Sequence, residues 1–391
     1  MDNADLEDVI ATVRSLVRDR VIPHEAEIDA TDEMPAGLRA EAAQMGLFGF
    51  AIPEVYGGLG LTMSQETRLV MELGYTTPAF RSMFGTNNGI AGHVLLEGGS
   101  EEQKKLYLPR LASGEWTASF ALTEENAGSD PAGLVTSVAR VPKSTAGDGG
   151  WVINGLKRFI TNAPVADVFM VFARHADGPA ADPAAGKISV LMVDAGTPGV
   201  TVGAKDEKMG QHGAWTSDVR FDDVRVPAAT LIGTPGEGYL TAMRCLAHGR
   251  LHIAALCVGL AQRALDETIT YALGRAQGGH VIADYQLIQG LIADSQTDVL
   301  AGRSLVLSAA ADFDSGADRR LGPSCAKYFA SEMVGRVADR AVQVHGGVGY
   351  MRGVTVERIY RDARLFRIYE GTSQIQQLVI AKQALRAGSA R

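Results

Sequence analysis

The chain has 391 residues, of which 46% are hydrophobic and 21% are charged, and its formal net charge is −8. This length is sufficient for two or three domains with substantial cores, and the composition is that of a globular protein rather than a disordered one. The acidic balance excludes nucleic acid and an anionic membrane surface as the main partner, because both bind basic surfaces.

The cysteines and the N-terminal segment indicate a reducing, non-secretory setting. Cys245, Cys257 and Cys325 form no CxxC pair and have no histidine at metal-ligand spacing, so we expect small core residues and no metal site. Residues 1–8 are acidic where a targeting peptide is basic, and no apolar run approaches the length of a membrane span. We therefore expect a cytoplasmic protein without a membrane span.

The first part of the chain has helical periodicity. Apolar residues recur three to four positions apart from Leu6 to about Arg110. Ser100 stands directly before the segment Glu101-Glu102-Gln103, which is the pattern of an N-cap serine followed by acids in the first turn of a helix. We predict an N-terminal helical domain over residues 1–116.

A different pattern follows, with short apolar stretches separated by turn residues, such as Val168 to Phe172 and Ile188 to Val193. It predicts a middle β domain, a barrel or sheet, over residues 117–233. Within it, Asn154-Gly155 lies between two strand-like runs and predicts a hairpin turn. Two segments rich in Gly, Ser, Pro and Asp are predicted to be exposed loops, residues 144–150 and 176–186.

Helical periodicity returns after Gly238 and continues to the end, which predicts a C-terminal four-helix bundle over residues 234–391. The protein is thus predicted to be mainly α with a central β domain, without the alternation of a doubly wound α/β fold. Gly346 to Gly353 is rich in glycine, but it follows a helical stripe where a dinucleotide-binding loop follows a strand. We therefore do not expect a nicotinamide site there.

Two segments of the middle domain are suited to ligand binding. Phe120 to Asp130 enters as a strand and continues into small and polar residues, which let backbone amides approach a ligand closely. Phe159 to Asn162 places an aromatic ring next to a hydroxyl group. From the residues alone, the first segment is equally well a surface turn, and Phe159 is more often a core residue.

A third segment, Ile368 to Gln376, contains the strongest catalytic candidate, Glu370. This carboxylate lies between Tyr369 and Gly371, just before a helical stretch. Desolvation there raises a carboxyl pKa toward the range of a general base. The alternative is a carboxylate that caps the helix, with Thr372 or Ser373 as other capping candidates, and residue chemistry alone favours a cap.

Taken together, these segments resemble the motifs of the flavin-dependent acyl-CoA dehydrogenase family, in the same order along the chain. Leu122 to Asp130 resembles its T-E-x-x-A-G-S-D segment, and Phe159 to Asn162 its [WF]-I-T-N segment. Arg275 to Gln286 resembles R-x-Q-F-G-K followed by Q, Gln343 to Tyr350 resembles Q-x-x-G-G-x-G-Y, and Ile368 to Gln376 resembles Y-E-G-T-S-x-I-Q.

The resemblance implies FAD as the cofactor and assigns contacts to positions of this sequence. The implied FAD contacts are Phe120, Leu122, Thr123, Gly128, Ser129, Phe159, Ile160, Thr161, Arg275, Gln277, Gln286, Gln343, Val344, Gly346, Gly347, Thr372, Ser373 and Gln374. The implied acyl-CoA contacts are Ser129, Arg250, Tyr369 and Gly371. In the family, the segments that begin at Arg275 and Gln343 serve the FAD of a neighbouring subunit, so the resemblance implies a homotetramer.

The reaction implied by the resemblance is α,β-dehydrogenation of an acyl-CoA thioester to the trans-2-enoyl-CoA, as in fatty acid metabolism. Glu370 would remove the Cα proton while a Cβ hydride passes to flavin N5, and the electrons would go to an electron-transferring flavoprotein. The resemblance assigns polarisation of the thioester carbonyl to the Glu370 backbone N–H and an FAD ribityl hydroxyl. The acyl group itself is not defined by the sequence.

Several positions depart from the family pattern and keep two alternatives open. Gly274 and Ala247 stand where acids are usual, and Gly278-Gly279-His280 replaces Phe-Gly-Lys. One alternative is an oxygen-using oxidase or monooxygenase on the same fold. The other is a subunit that only completes a partner's flavin site in a mixed tetramer, against which stand the intact Glu370 and Ser129. His345, within a flavin motif, is predicted to be a hydrogen-bonded structural residue.

Overall fold

The computed structural model describes residues 1–142, 149–176 and 185–389. The two predicted loops, residues 144–150 and 176–186, lie largely outside the described residues. The order of helices, sheet and helices is confirmed, and so is the mainly α fold class with a central β domain. Among the described residues, no helix combines the length with the apolar character that crossing a membrane requires.

Helices form the N-terminal region. They are α1 (Asn3–Ser15), α2 (Glu25–Thr31), α3 (Ala36–Gln44), α4 (Met63–Leu73), α5 (Pro78–Gly89), α6 (Ala91–Gly98) and α7 (Glu101–Ser113). The predicted cap of α7 is confirmed: the Ser100 hydroxyl accepts from the Gln103 amide, and the Gln103 side chain accepts from the Ser100 amide. The same Gln103 side chain donates to the carbonyls of Ala229 and Leu231, which ties α7 to the β region.

Strands form the middle region. They are β1 (Ala118–Ala121), β2 (Ser137–Val141), β3 (Gly150–Thr161), β4 (Val168–His175), β5 (Ile188–Asp194), β6 (Val200–Val202), β7 (Thr216–Pro227) and β8 (Leu231–Ile232). In the described part of the chain they form one sheet in the order β6-β7-β3-β2-β4-β5-β8, with β1 also paired to β4. Alternate residues of β4 enter two different cores, so both faces of this strand are covered, which explains its nearly continuous apolar sequence.

The hairpin predicted at Asn154-Gly155 is wrong. These residues lie inside the single strand β3, at a register shift between Ile153 and Gly155. The long strand β7 pairs with β3 on both sides of this shift, so the chain stays extended and forms a bulge instead of a turn. The Asn154 side chain pairs with Asp223 of β7, which stabilises the irregularity.

The C-terminal region begins with α8 (Gly238–Gly274) and a short hairpin, β9 (Ala276–Gln277) and β10 (His280–Val281). It continues with α9 (Gln286–Ser315), α10 (Leu321–His345), α11 (Thr355–Ala363) and α12 (Ser373–Ser389). One hydrophobic core joins α8, α9 and α10 to α4 and α5 of the N-terminal region. Cys245 and Cys257 are buried core residues, as predicted.

Helices α4 and α8 approach each other backbone to backbone. A Cβ added to Gly259 would lie 2.1 Å from the carbonyl oxygen of Met71, and one added to Gly74 would lie 2.4 Å from that of Leu256. Only glycine fits such an approach. This contact sets the first two-thirds of α8 against α4 and α5, and the candidate active site lies along that contact.

Candidate active site

Glu370 occupies a strained position between α11 and α12. Its φ is 52° and that of Gly371 is 88°, so two consecutive residues adopt the left-handed region. For a residue with a Cβ, this conformation costs about 1–2 kcal/mol and persists only where the surrounding structure enforces it. Such strain is typical of functional sites.

Two side chains enforce this backbone conformation by binding its carbonyl groups. The Lys327 ammonium donates to the Gly371 carbonyl at 2.7 Å. The Gln376 side-chain amide donates to the carbonyls of Glu370 and Gly371 at 3.1 Å and 3.2 Å. Lys327 and Gln376 are both fully buried, so the turn at Glu370 is held from beneath by α10 and α12.

The Glu370 carboxylate lies against α8. A Cβ added to Gly249 would be 2.4 Å from Glu370 Oε2 and 2.8 Å from the Ile90 side chain. Although the residue as a whole is half-buried, Oε2 itself is buried and has no hydrogen-bond partner among the residues that the structure describes. Burial raises the pKa of Glu370, and the charges of Arg81, Lys327 and Arg250 act in the opposite direction without cancelling it.

The capping interpretation of Glu370 is wrong. The cap of α12 is Thr372, whose hydroxyl accepts from the Ile375 amide at 3.2 Å. Ser373, the next residue, is buried and donates its hydroxyl to Glu332 at 2.5 Å, while Gln374 is exposed. The Glu370 carboxylate therefore does not cap α12 and is available for another role.

The structure brings the two middle-domain segments together. The Thr123 carbonyl accepts from the Arg158 amide at 2.9 Å, which joins the first segment, just after β1, to the last residues of β3. Beyond it, Gly128 and Ser129 are exposed. Phe159 has a φ of 56° at a second register shift of β3, and its ring is 60% exposed instead of joining the core. Exposed Gly128 and Ser129 and the exposed Phe159 ring thus belong to two segments that meet near the end of β3. We call this region the exposed edge of the sheet.

A buried ion pair that the sequence analysis missed holds this edge. The Lys157 ammonium is fully buried and donates to Glu124 at 2.7 Å and to the Leu122 carbonyl at 3.1 Å. The Glu124 carboxylate also accepts from the amides of Val135 and Thr136. Burial lowers the pKa of Lys157 to about 8. Lys157 stands next to Arg158 in the sequence, so nothing local marks it as buried, and only Glu124 of the T-E motif was singled out by the sequence.

Helix α5 connects the exposed edge of the sheet to Glu370. The Asn162 side chain, which directly follows β3, donates to the Ser82 carbonyl and the Thr86 hydroxyl, both at 2.9 Å. At the end of the same helix, Ile90 lies beside Gly249 and the Glu370 carboxylate. The exposed aromatic segment and the buried carboxylate therefore flank one helix.

The C-terminal motif residues divide into two groups. A cavity of about 470 Å³ is lined by Arg275, Gln277, Val344, Gly346 and Gly347, together with Tyr271, Ile282, His345 and Val348. Gln286 and Gln343 are exposed and do not line this cavity. Gly278 and Gly279 both have positive φ and form the two-residue turn of the β9–β10 hairpin, which accounts for their departure from the family pattern.

Two further predicted residues have defined partners. The His345 ring stacks on Tyr271 with centroids 4.1 Å apart, and its Nδ1 donates to the Ala341 carbonyl, so the predicted structural role is confirmed. Arg250 is 9% exposed; one of its terminal nitrogens donates to the Ser324 hydroxyl at 3.3 Å, and its Nε is buried without a partner.

Beside Glu370 lies a polar cluster that the sequence analysis did not predict. Glu66, His248 and His252 are buried, and their ligand atoms lie within 4.8 Å of one another. The spacing of His248 and His252, one helical turn apart, was the available signal. Glu66 comes from the separate helix α4, so no local spacing connects it with them.

Three family sequence models match the chain. The acyl-CoA dehydrogenase N-terminal domain matches residues 3–115, the middle domain residues 119–224 and the C-terminal domain residues 236–385. The chain belongs to the acyl-CoA dehydrogenase family. As an acyl-CoA dehydrogenase, it is an oxidoreductase that acts on CH–CH groups.

Relatives of known name or structure are similar over nearly the whole chain. A protein of Acetobacterium woodii named caffeyl-CoA reductase-Etf complex subunit CarC is 39% identical over 364 residues, which is 92% of each chain. Butyryl-CoA dehydrogenase of Megasphaera elsdenii has a TM-score of 0.91 and 32% identity over 98% of this chain and 99% of its own. An acyl-CoA dehydrogenase of Bacillus anthracis, complexed with FAD, has a TM-score of 0.91 and 30% identity over 100% of this chain and 68% of its own.

The Lys157–Glu124 pair gives a first prediction for this acyl-CoA dehydrogenase. Lys157→Met leaves the Glu124 carboxylate buried without its cation, and we expect the free energy of unfolding to fall by about 3–5 kcal/mol. Denaturant unfolding measures it. The matched control is Lys205→Met, because the Lys205–Glu33 pair is largely exposed, and its loss should be below about 1 kcal/mol. Equal losses in the two variants would contradict the anchoring role.

Proposed function

We propose that this protein is an FAD-dependent acyl-CoA dehydrogenase that removes the Cα proton of an acyl-CoA thioester with Glu370 and forms the trans-2-enoyl-CoA. The observation that carries the proposal is the Glu370 carboxylate, which has a buried oxygen without a hydrogen-bond partner, on a strained and doubly held turn. A free acceptor in a dry site is what a general base requires.

The surroundings of Glu370 meet the two opposing requirements of a base. Burial raises its pKa, which makes the carboxylate a better proton acceptor. The charges of Arg81, Lys327 and Arg250 favour the ionised form, which must be present before the proton is removed. Each cation comes from a different helix, so the carboxylate faces positive charge from several sides.

The backbone at Glu370 supplies a second group for the reaction. Within residues 1–142, 149–176 and 185–389, no protein oxygen accepts a hydrogen bond from the Glu370 amide. A fixed N–H donor without a partner stabilises negative charge that develops on a thioester oxygen as Cα loses its proton. We assign the polarisation of the thioester carbonyl to the Glu370 amide.

FAD is proposed as the cofactor, and the residues present fit it. The edge formed by Thr123, Ser129, Phe159 and Thr161 offers an aromatic ring and hydroxyls, and the cavity at Arg275 and Gly346 offers a cation beside a glycine pair. The related B. anthracis enzyme complexed with FAD supports this assignment. When bound, FAD accepts the hydride from Cβ. The Ser373 hydroxyl already donates to Glu332, so we assign its contact with FAD to the Ser373 backbone.

The partner proposed for electron exchange is an electron-transferring flavoprotein. The support is the similarity to the A. woodii subunit, whose name includes an Etf complex and a reductase. A reductase uses the same base and amide in reverse, returning the proton to Cα.

We further propose a homotetramer, since α9 and α12 expose large apolar side chains. Leu287, Leu300, Leu378 and Leu385 expose 60–87% of their surfaces.

Glu370→Gln tests the proposal. The amide keeps the size of the side chain and removes the base, so we expect the rate of flavin bleaching by an acyl-CoA to fall about 10²- to 10⁴-fold while the protein still binds FAD. The measurement is anaerobic stopped-flow absorbance with a panel of straight, branched and aromatic acyl-CoA thioesters. Bleaching by the variant at the wild-type rate would overturn the assignment. Rapid reoxidation of the reduced wild type by air would identify an oxygen-using enzyme instead.

Gly249→Ala tests the position of the carboxylate. The added Cβ collides with Glu370 Oε2, and we expect kcat for flavin reduction to fall roughly 10- to 100-fold with unchanged FAD content, because a shift near 1 Å misaligns the base. The control is Gly290→Ala on α9, where a Cβ meets no atom within 4 Å. A wild-type kcat for Gly249→Ala would place the acting carboxylate elsewhere.

A further inference from the structure

Behind Glu370, four polar side chains form a buried row across α4, α5 and α8. They are Arg81, His252, Glu66 and His248, which are 6%, 0%, 4% and 4% exposed. Burying such groups is unfavourable unless each is paired, and the proposed dehydrogenation uses none of them directly. Their arrangement therefore requires its own explanation.

The hydrogen bonds that join Arg81, His252 and Glu66 have a single consistent assignment. A guanidinium group only donates, so the bond of 2.9 Å between Arg81 and His252 Nδ1 makes Nδ1 the acceptor. The hydrogen of the neutral ring then lies on Nε2, which donates to Glu66 Oε2 at 2.5 Å. Burial lowers the pKa of His252 to about 3, which agrees with a neutral ring. The Glu66 charge thus compensates Arg81 through His252.

The same assignment argues against a metal ion between Glu66, His248 and His252. A neutral histidine that binds a metal through Nε2 carries its hydrogen on Nδ1, where it would face the Arg81 donor. The ring of His248 lies between Glu66 and α5: its Nε2 is 3.2 Å from Glu66 Oε2, its Nδ1 is 3.2 Å from the Gly89 carbonyl, and the ring stacks on His93. The row is therefore organised around the arginine.

The guanidinium group lies at the same contact between helices as the Glu370 carboxylate. A Cβ on Gly89 would meet Arg81 Nη2 at 3.2 Å and His252 Nδ1 at 3.3 Å, and the next residue, Ile90, lies beside Gly249 and Glu370. Arg81 Nε is buried without a partner. The other charged groups that face Glu370 are Arg250 of α8 and Lys327 of α10.

We propose that Glu66 and His252 are positioning residues that hold the Arg81 guanidinium as a fixed cation facing Glu370, and that this cation keeps the buried base ionised. The proposal rests on the proposed function of Glu370. Glu66 supplies the opposite charge that lets Arg81 stay buried, and His252 transmits it in a defined orientation. Arg81 acts through Glu370 and has no assigned contact with substrate.

A thermal double-mutant cycle on the FAD-loaded protein tests the charge pairing without any substrate. Glu66→Gln leaves Arg81 buried without an opposite charge in the row, and we expect Tm to fall by roughly 5 °C or more. The variant E66Q/R81M removes both charges and should unfold at a higher temperature than E66Q. Glu72→Gln is the control on α4, since its partner Arg14 is largely exposed. A double variant no more stable than E66Q would overturn the proposal.

A second pair of variants decides the role of His252 if the double variant does not fold. His252→Gln keeps an acceptor for Arg81 and a donor for Glu66, whereas His252→Leu keeps neither. We expect H252Q to retain a Tm well above that of H252L. Equal Tm values would show that His252 only fills space and would contradict the proposal.

The pH dependence of flavin reduction, with the acyl-CoA that bleaches the wild type fastest, separates positioning from packing. Arg81→Met removes a cation, which raises the Glu370 pKa, so the rate should fall off at a higher pH, by about half a pH unit or more. H252L keeps both charges but releases Arg81, so it should move the same acid limb to higher pH, whereas H252Q should leave the limb in place. No shift for Arg81→Met, or equal shifts for H252L and H252Q, would overturn the proposal. Glu370→Gln removes the base itself, so its effect on bleaching is expected whether or not Glu66 and His252 position Arg81. The proposal for Glu370 and the proposal for Arg81 can therefore be refuted separately.

Discussion

A carboxylate that must stay ionised although it is buried is the constraint on which the rest of this structure depends. Glu370 Oε2 is buried and lacks a hydrogen-bond partner, and burial raises its pKa. Arg81, Arg250 and Lys327 face it from three different helices and favour the ionised form. Without these cations the pKa of the buried carboxyl would be raised further, which favours the protonated form, and direct ion pairs with them would lower the pKa and weaken the base. The observed arrangement lies between these two limits.

Helix packing produces this arrangement. The glycine contacts between α4 and α8 bring Glu66, His252 and Gly249 to one side of α5, and Lys327 of α10 holds the turn at Gly371 from the other side. Through Asn162, α5 also fixes the end of β3, where Phe159 and Thr161 are presented. The domains therefore cooperate: the helical regions build the base, and the sheet presents the surface against which we propose that FAD lies.

The sequence predicts the order of the three regions, the cap of α7 and the segment that contains Glu370, because each depends on local patterns. The prediction at Asn154-Gly155 failed since a turn signal cannot reveal that β7 pairs along both halves of β3. The buried pair Lys157–Glu124 and the row at Arg81 were missed for a related reason. Their partners come from separate elements, and a charged residue inside a helix or strand is read as solvent-exposed until tertiary contacts are known.

The most direct measurement of the central claim is a crystal structure of the Glu370→Gln variant with FAD and a bound acyl-CoA. The account predicts that the Cα atom lies about 3–3.5 Å from the side chain of residue 370, on the face opposite the flavin ring, with the thioester oxygen at the amide of the same residue. An acyl group bound elsewhere, with another carboxylate nearest to Cα, would contradict the account.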